Sequence, residues 1–437
     1  MTVLGTRLAT RLVCAGCGAL ATREPFRCPA AVPGDDVDHL LRRELDPAAV
    51  DFPGSDAEPN PFVRYRSLLH AYHVARANGI SDAAFVDLVR VLDERVAAVD
   101  SHGFTATPCK RGDALSRALG FSEAGGIWIK DETGNVSGSH KARHLFGVLV
   151  FLEVAELAGW AERGRELAIA SCGNAALAAA VVAAAGGRAL RVFVPADADP
   201  VVLARLEELG ARVTICPREP DVRGDPTVHA LLAALDEGAV PFTCQGHLNG
   251  LAIEGGHTLG WELAATNVAF DRLVVQVGGG ALASGCAAGL REAGSSPSLD
   301  TVQTEGAWPL KRAYERVLAA GGRPALRYAA RHRSEFMWPW ERKPHSIAHG
   351  ILDDETYDWL AVVEAMLATG GRPVVVDEER LADANELAVE TTGIAVDPTG
   401  SAGLAGLLAL RAAGAVGDDE RVAVLFTGVR REGGKTT

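Results

Sequence analysis

Long apolar runs are missing from this chain of 437 residues. The best candidate, "HLFGVLVFLEVAELAGW", is interrupted by His144, Glu153 and Glu156, so it reads as a buried helix and not as a membrane span. Arg7 and Arg11 are followed by no apolar stretch, so the N-terminus gives no sign of a secretory leader. Positive charge is also in deficit. A formal net charge of −13 argues against nucleic acid or an anionic membrane as the main partner, while leaving room for a local basic pocket around a small anion. Aromatics make up only 6% of the chain, and no repeat of solenoid or propeller period occurs. The 8 cysteines do not fall in a disulfide-scaffold pattern, so reduced thiols in the cytoplasm are expected.

Ala and Gly are plentiful, and 48% of the residues are apolar, which suits a close-packed α/β protein of two or more domains. From Ile127 onward short β-like runs ("IWIK", "LAIA", "LRVFVP", "RVTIC", "LVVQVG", "TVQTEG", "PVVVD", "VAVLFTG") alternate with Ala/Leu-rich helical stretches. That alternation predicts parallel sheets covered by helices on both faces. Ahead of it, "DFPGSDAEPNP" reads as a connector, and Ser81-Asp82 opens a helical pattern as a cap. The expected organisation is an N-terminal extension (1–45), a large α/β domain (46–166 and 244–437), and a small α/β domain (167–243) inserted within it. The extension carries Cys14, Cys17, Cys28 and His39. A zinc ribbon is one reading, but the second Cys-x-x-Cys is lacking and His39 is poorly spaced. A capping segment with no metal is therefore expected.

Unusual residues gather at strand ends, where ligands of open α/β sheets bind. "VQVGGGALASG" runs from a strand through Gly278, Gly279 and Gly280 into a helix of small residues. Such backbone amides at a helix start can cradle a phosphate. The segment has neither the Walker lysine nor dinucleotide-fingerprint spacing. In "SCGNAA", Ser171, Cys172 and Asn174 lie at a helix start, suited to a carboxylate or a phenolate-like oxygen. "LFTG" ends a strand with the Thr427 hydroxyl, a neutral partner for a ring nitrogen. Lys141, in "KDETGNVSGSHKARHLF", stands alone where a buried helix begins. Burial makes lysine a nucleophile toward carbonyls, and an aldehyde cofactor bearing a phosphate is pyridoxal 5′-phosphate.

These segments, with "EGGHTLGWEL" and in this order, resemble the fold-type-II pyridoxal-phosphate enzymes. That is the tryptophan-synthase-β-like superfamily of threonine synthases, serine/threonine dehydratases and cysteine synthases. The resemblance covers Gly103 to the C-terminus. It implies two parallel-sheet domains with the cofactor between them, a small amino-acid substrate, and a homodimer. It further implies that Lys141 carries the internal aldimine and shuttles the Cα proton, and that Asn174 binds the cofactor's ring oxygen. Ser171, Cys172, Gly173 and Asn174 would line the substrate carboxylate. Amides of Gly278, Gly279, Gly280, Ala281 and Leu282 would hold the phosphate, with His140 beside it, and Thr427 would meet the pyridine nitrogen. A neutral hydroxyl there favours β-elimination or β-replacement through an aminoacrylate over transamination.

Departures from the pattern bear on the reaction. "KDETGNVSGSHKAR" and the Cys-bearing N-terminal segment are most like threonine synthase, yet the arginine expected to hold a substrate phosphate falls on Ala252. The triple glycine and "VDPTGSAG" are more like dehydratases. Where a dehydratase/racemase metal site would have two acids, Glu305 is kept and Lys311 takes the later position, so an ammonium paired with Glu305 is expected in place of the metal. Cys172 stands where that branch commonly has a serine that can deliver a proton to the opposite face; a partly ionised thiol is one reading of it, and a small buried side chain with no role is the other. The expectation is a dehydratase-like lyase with no catalytic metal. Threonine-synthase-like or β-replacement chemistry is the alternative, and a non-catalytic cofactor- or amino-acid-binding homologue is a second.

Overall fold

The structure, a computed structural model, describes residues 2–3, 6–54, 58–218 and 225–431; residues 55–57 of the connector lie outside them. The β-like runs from Ile127 onward all form strands, and they divide between two sheets. A six-stranded sheet has the order Pro373–Val376, Ser298–Thr304, Arg272–Gln276, Arg421–Phe426, Gly126–Asp131, Cys109–Arg111. All its pairings are parallel except that of the edge strand Cys109–Arg111, which is antiparallel. A four-stranded parallel sheet has the order Val240–Pro241, Leu167–Ala170, Leu190–Pro195, Arg212–Cys216. The central strand "RVAVLF" of the large sheet is apolar on both faces because helices cover both, and its Val422 to Phe426 are buried.

Register matters for the site. Val424 lies opposite both Val274 and Ile129, and Phe426 opposite Asp131. The carboxyl ends of three neighbouring strands therefore finish level, and the residues just past them, Glu132, Val277 and Thr427, share one edge.

The stretch "HLFGVLVFLEVAELAGW" lies mostly in the helix Lys141–Leu157, whose residues from Ala142 to Leu152 are all buried. Its two acids, Glu153 and Glu156, both pair with Arg188, at 2.6 and 2.8 Å. No helix among the described residues is long and apolar enough to cross a membrane. Crossing it closely is the helix Ala252–Ala264. A Cβ on Gly255 would lie 2.1 Å from the Arg143 carbonyl, so only glycine permits this approach. One apolar core joins the Lys141 helix, the helix Asp82–Asp100 and the strands and helix of the small sheet, so the packing around that sheet reaches back before residue 167. Ser81 caps Asp82–Asp100 as its sequence suggests, accepting from the Ala84 N–H.

The extension contains structure that its sequence did not announce. Thr10–Cys14 and Leu41–Leu45 form an antiparallel pair. Arg43 reaches from it into the large domain, forming an ion pair with Glu254 at 3.1 Å and donating to Glu292 at 2.7 Å, with all three side chains buried or nearly so. Glu254, part of the motif before the glycine loop, thus anchors the extension.

Candidate active site

Lys141 is placed by the Gly/Ser turn before it. After the strand Gly126–Asp131 the chain makes a 3-10 turn at Val136–Gly138, with Ser137 and Gly138 at positive φ. Asn135 holds that turn by donating to the Ser139 carbonyl at 3.0 Å. Residues 138–140 then pair with the end of the neighbouring strand: Val429 N–H donates to Gly138 O at 2.9 Å and His140 N–H to Thr427 O at 3.2 Å. The pairing sets Lys141, first residue of its helix and half-buried, beside Thr427. Its ammonium is near enough to act on Asp353, Asp358 and Cys244.

Beneath the lysine lies a buried ion network that sequence reasoning missed. Arg143, fully buried, donates to Glu132 at 2.8 Å and to Glu262 at 2.6 Å, and Lys130 also bonds Glu262. Burial alone would lower the Arg143 pKa, but the two carboxylates outweigh it and keep the guanidinium charged. Burial likewise raises Glu262, and Arg143 with Lys130 overcomes it, so the net shift is downward. The available signal was that "KDETGNVSGSHKAR" carries charges at Lys130, Glu132 and Arg143 on either side of an apolar strand and helix.

The glycine loop is a tight cradle. Gly280 has φ 98° and precedes the helix Ala281–Glu292. A Cβ on Gly278 would meet the Asp353 carboxylate at 2.4 Å, and one on Gly279 the Tyr357 ring at 2.9 Å. The Asp353 carboxylate lies against this loop, near enough for the Gly279 N–H to lower its pKa against the effect of burial. Around the lysine turn and the loop are buried hydroxyls without partners, Ser137, Ser139 and Thr356, together with Nε2 of His140. Loop amides and spare polar atoms beside a half-buried lysine fit a phosphate-bearing aldehyde. His140 is held neutral by burial and by the Lys141 charge, and its Nδ1 lies 3.3 Å from Thr427 O. If Nδ1 donates there, Nε2 offers a lone pair.

Ser171 to Asn174 follow the strand Leu167–Ala170, and Asn174 starts the helix Asn174–Ala185. The Asn174 Oδ1 accepts from Arg431, whose other nitrogen donates to Ser137 O at 2.8 Å. Arg431, also missed in the sequence, bolts the asparagine loop to the lysine turn and leaves Nδ2 as the face toward Gly428. Thr427 is pinned in the same way. Gln276 Nε2 donates to its hydroxyl at 2.8 Å, and the carbonyls of Thr399, Gly400 and Leu425 fix which end of that amide points there. The Thr427 O–H is thereby free to donate elsewhere.

Two expectations need correction. Lys311 does not pair with Glu305: it lies on the helix Pro309–Ala319, where its ammonium meets Glu315 one turn on at 3.7 Å, and Glu305 is exposed. A partly ionised Cys172 is also not favoured. Although the residue is exposed, partial burial of the thiol and the charges of Asp197 and Asp225 raise its pKa, so it stays a thiol at neutral pH.

Asp358 yields a stability prediction. It donates its N–H to Gly279 O at 2.9 Å, while both carboxylate oxygens are buried without a partner. Burial, then Asp38, pushes its pKa up to about 8. A carboxyl raised in the folded state contributes stability below its unfolded pKa, about 4, and loses it as pH rises through the folded value. The advantage of Asp358→Asn over the parent is expected to grow with pH up to about 8, by at most about 1.4 kcal/mol per pH unit, then level off. Calorimetric melting of both proteins across pH 5 to 9 checks this, and a constant difference would refute it.

Residues 101–428 match the family described as "Pyridoxal-phosphate dependent enzyme". Over 337 residues the chain is 28% identical to the threonine synthase of Methanosarcina acetivorans, covering 74% of each chain. Over 299 residues it is 27% identical to the L-threonine ammonia-lyase of Thermotoga maritima, covering 68% of this chain and 66% of that one. The structure of maize serine racemase superposes with a TM-score of 0.60, covering 79% of this chain and 93% of that one at 19% identity, a likeness of fold. Since the family match runs through the lysine turn, the asparagine and glycine loops and the Thr427 strand end, the chain belongs to the pyridoxal-phosphate-dependent enzymes.

Proposed function

We propose that this chain is a lyase that eliminates a β-hydroxyl or another β-leaving group from a small amino acid. It would work as a cytoplasmic homodimer, a setting consistent with its eight free cysteines, with 167–243 as a domain that closes over substrate. When bound, pyridoxal 5′-phosphate supplies an electron sink for a carbanion at the substrate Cα. Lys141 Nζ would hold the cofactor covalently and then take the Cα proton. The amides of Gly278 to Leu282 would bind its phosphate, with Asp353 yielding its place beside the Gly279 N–H. Asn174 Nδ2, oriented by Arg431, would donate to the ring oxygen. The Thr427 hydroxyl, oriented by Gln276, would donate to the pyridine nitrogen and leave it unprotonated, which suits elimination better than transamination. Ser171, Cys172 and Gly173 would receive the substrate carboxylate, with the protonated Cys172 thiol as a proton donor.

One observation carries the choice of substrate: the mouth of the site is acidic. Lys141 acts on Asp353, Asp354 stands beside it, and Asp197 and Asp225 act on Cys172; against these four acids stand three cations, Lys141, Arg218 and the Arg431 that bonds Asn174. Ala252 is buried, and its carbonyl is taken by His144 at 2.8 Å. A dianionic phosphorylated substrate meets repulsion here and finds no arginine at that position, whereas an uncharged β-hydroxyl does not. A second reading, replacement chemistry of the threonine-synthase kind, is supported by the likeness to the Methanosarcina protein.

The holoenzyme is to be incubated with L-serine, L-threonine, O-acetylserine and O-phosphohomoserine, assaying 2-keto acid, ammonia and phosphate. Equal amounts of keto acid and ammonia from a β-substituted substrate, with no phosphate released from O-phosphohomoserine, are expected. Phosphate release accompanied by threonine would establish the second reading instead.

A further inference from the structure

Far along the chain from the lysine, the N-terminal extension folds into a cluster that no step above uses. Cys14 ends the strand Thr10–Cys14, Cys17 follows in a knuckle, and Cys28 and His39 return from the long loop before Leu41–Leu45. Their ligand atoms all lie within 4.8 Å of one another. Cys17 Sγ is 3.5 Å from Cys28 Sγ, and Cys14 Sγ is 3.5 Å from His39 Nδ1. Zn–S of about 2.3 Å and Zn–N of about 2.05 Å give tetrahedron edges of about 3.8 and about 3.6 Å. The cluster therefore has the dimensions of one four-coordinate ion, and its sulfurs are too far apart for a disulfide.

The surroundings are those of a ligand set as well. Each sulfur accepts a backbone N–H: Cys14 from Cys17 at 3.5 Å, Cys17 from Ala19 at 3.4 Å, and Cys28 from Ala30 at 3.4 Å. Such bonds stabilise thiolates. His39 Nε2 lies 2.8 Å from the Asp35 carboxylate. A proton held on Nε2 by Asp35 turns the Nδ1 lone pair toward the sulfurs, the second-shell arrangement that orients metal-bound histidines.

The geometry points to a structural zinc site made of Cys14, Cys17, Cys28 and His39. Three thiolates and a neutral imidazole donate electron pairs to Zn2+, and three thiol protons leave to solvent without any change of oxidation state. The missing second Cys-x-x-Cys led the sequence reading to a metal-free cap; the fold supplies the fourth ligand by carrying His39 back to Cys14. Closing residues 14–39 on a metal would fix a loop that bonds the large domain at several points. Asp38 N–H donates to Ala330 O at 2.8 Å, Arg333 N–H to Asp36 O at 2.8 Å, and Gly250 N–H to Phe26 O at 2.9 Å.

The full-length protein, expressed with zinc in the medium, is to be analysed for metal content. About one zinc per chain is expected, falling at least tenfold in Cys17→Ser/Cys28→Ser. Exchange of wild-type protein with Co2+ after chelation should give the visible d–d absorption of tetrahedral thiolate coordination, a readout independent of catalysis and of any variant's folding. Chelation should also make residues 14–39 susceptible to limited proteolysis. Zinc below about one-tenth per chain together with no cobalt bands would overturn the assignment, as would full zinc content in the double variant.

Discussion

Lys141→Ala is expected to leave the protein folded but colourless after reconstitution with pyridoxal 5′-phosphate, and to lower turnover on any substrate by on the order of 10³-fold or more. Lys141 has two tasks at once, covalent attachment and proton transfer at Cα, and no neighbour can take over either. His140 is buried and held neutral, and its Nδ1 is engaged with the Thr427 carbonyl. Lys130, the other lysine of the motif, is locked onto Glu262 under the helix. Because Lys141 is only half-buried and stands outside the ion network, the melting temperature of the apoprotein should barely move. Visible absorbance, circular dichroism and product assays on the same preparation separate loss of chemistry from loss of fold. A variant that keeps the visible band and turns over substrate would remove Lys141 from the centre of the site.

How far the sequence could be read depended on the kind of signal. Parallel strands buried on both faces write themselves as short apolar runs, and each run from Ile127 onward is a strand. The strands Cys109–Arg111 and Val240–Pro241 were not visible, because an edge strand of three residues and a strand of two carry too little pattern. The hairpin of the extension escaped for another reason: "LRREL" sets three charges in a row between two leucines, and Arg43 looks like a surface residue until Glu254 and Glu292 are brought to it from more than 200 positions away. The same limit hid Arg431 and Gln276. Their roles are to hold Asn174 and Thr427, and a residue that orients another side chain leaves no motif of its own. Lys311 failed in the opposite direction: a spacing that looked like a replaced ligand is, on a helix, an ordinary i, i+4 partner for Glu315.

The largest stability effect is expected at Arg143, two residues past the lysine. Arg143→Met keeps the volume of the side chain but leaves Glu132 and Glu262 buried with Lys130 as their sole cation in the network. Removing one partner of a buried ionic group exposes the full desolvation cost of the others, about 3 to 5 kcal/mol. The unfolding midpoint in urea should fall accordingly, and cofactor affinity with it, since Glu132 begins the turn that positions Lys141. Acid sensitivity supplies a second readout. Glu262 is lowered in the folded state, so its contribution is present above the unfolded carboxylate pKa and lost as pH falls below it. Without Arg143 that carboxylate is no longer held down to the same extent, and the parent's loss of stability on acidification should shrink in the variant. Neutralising the stranded acid as well, in Arg143→Met/Glu132→Gln, should recover part of the midpoint, because an apolar and hydrogen-bonded substitute costs less than an unpaired charge. A single variant within about 1 kcal/mol of the parent would mean that the network tolerates an unpaired carboxylate. The charges of "KDETGNVSGSHKAR" would then have to be explained through the cofactor and not through the fold.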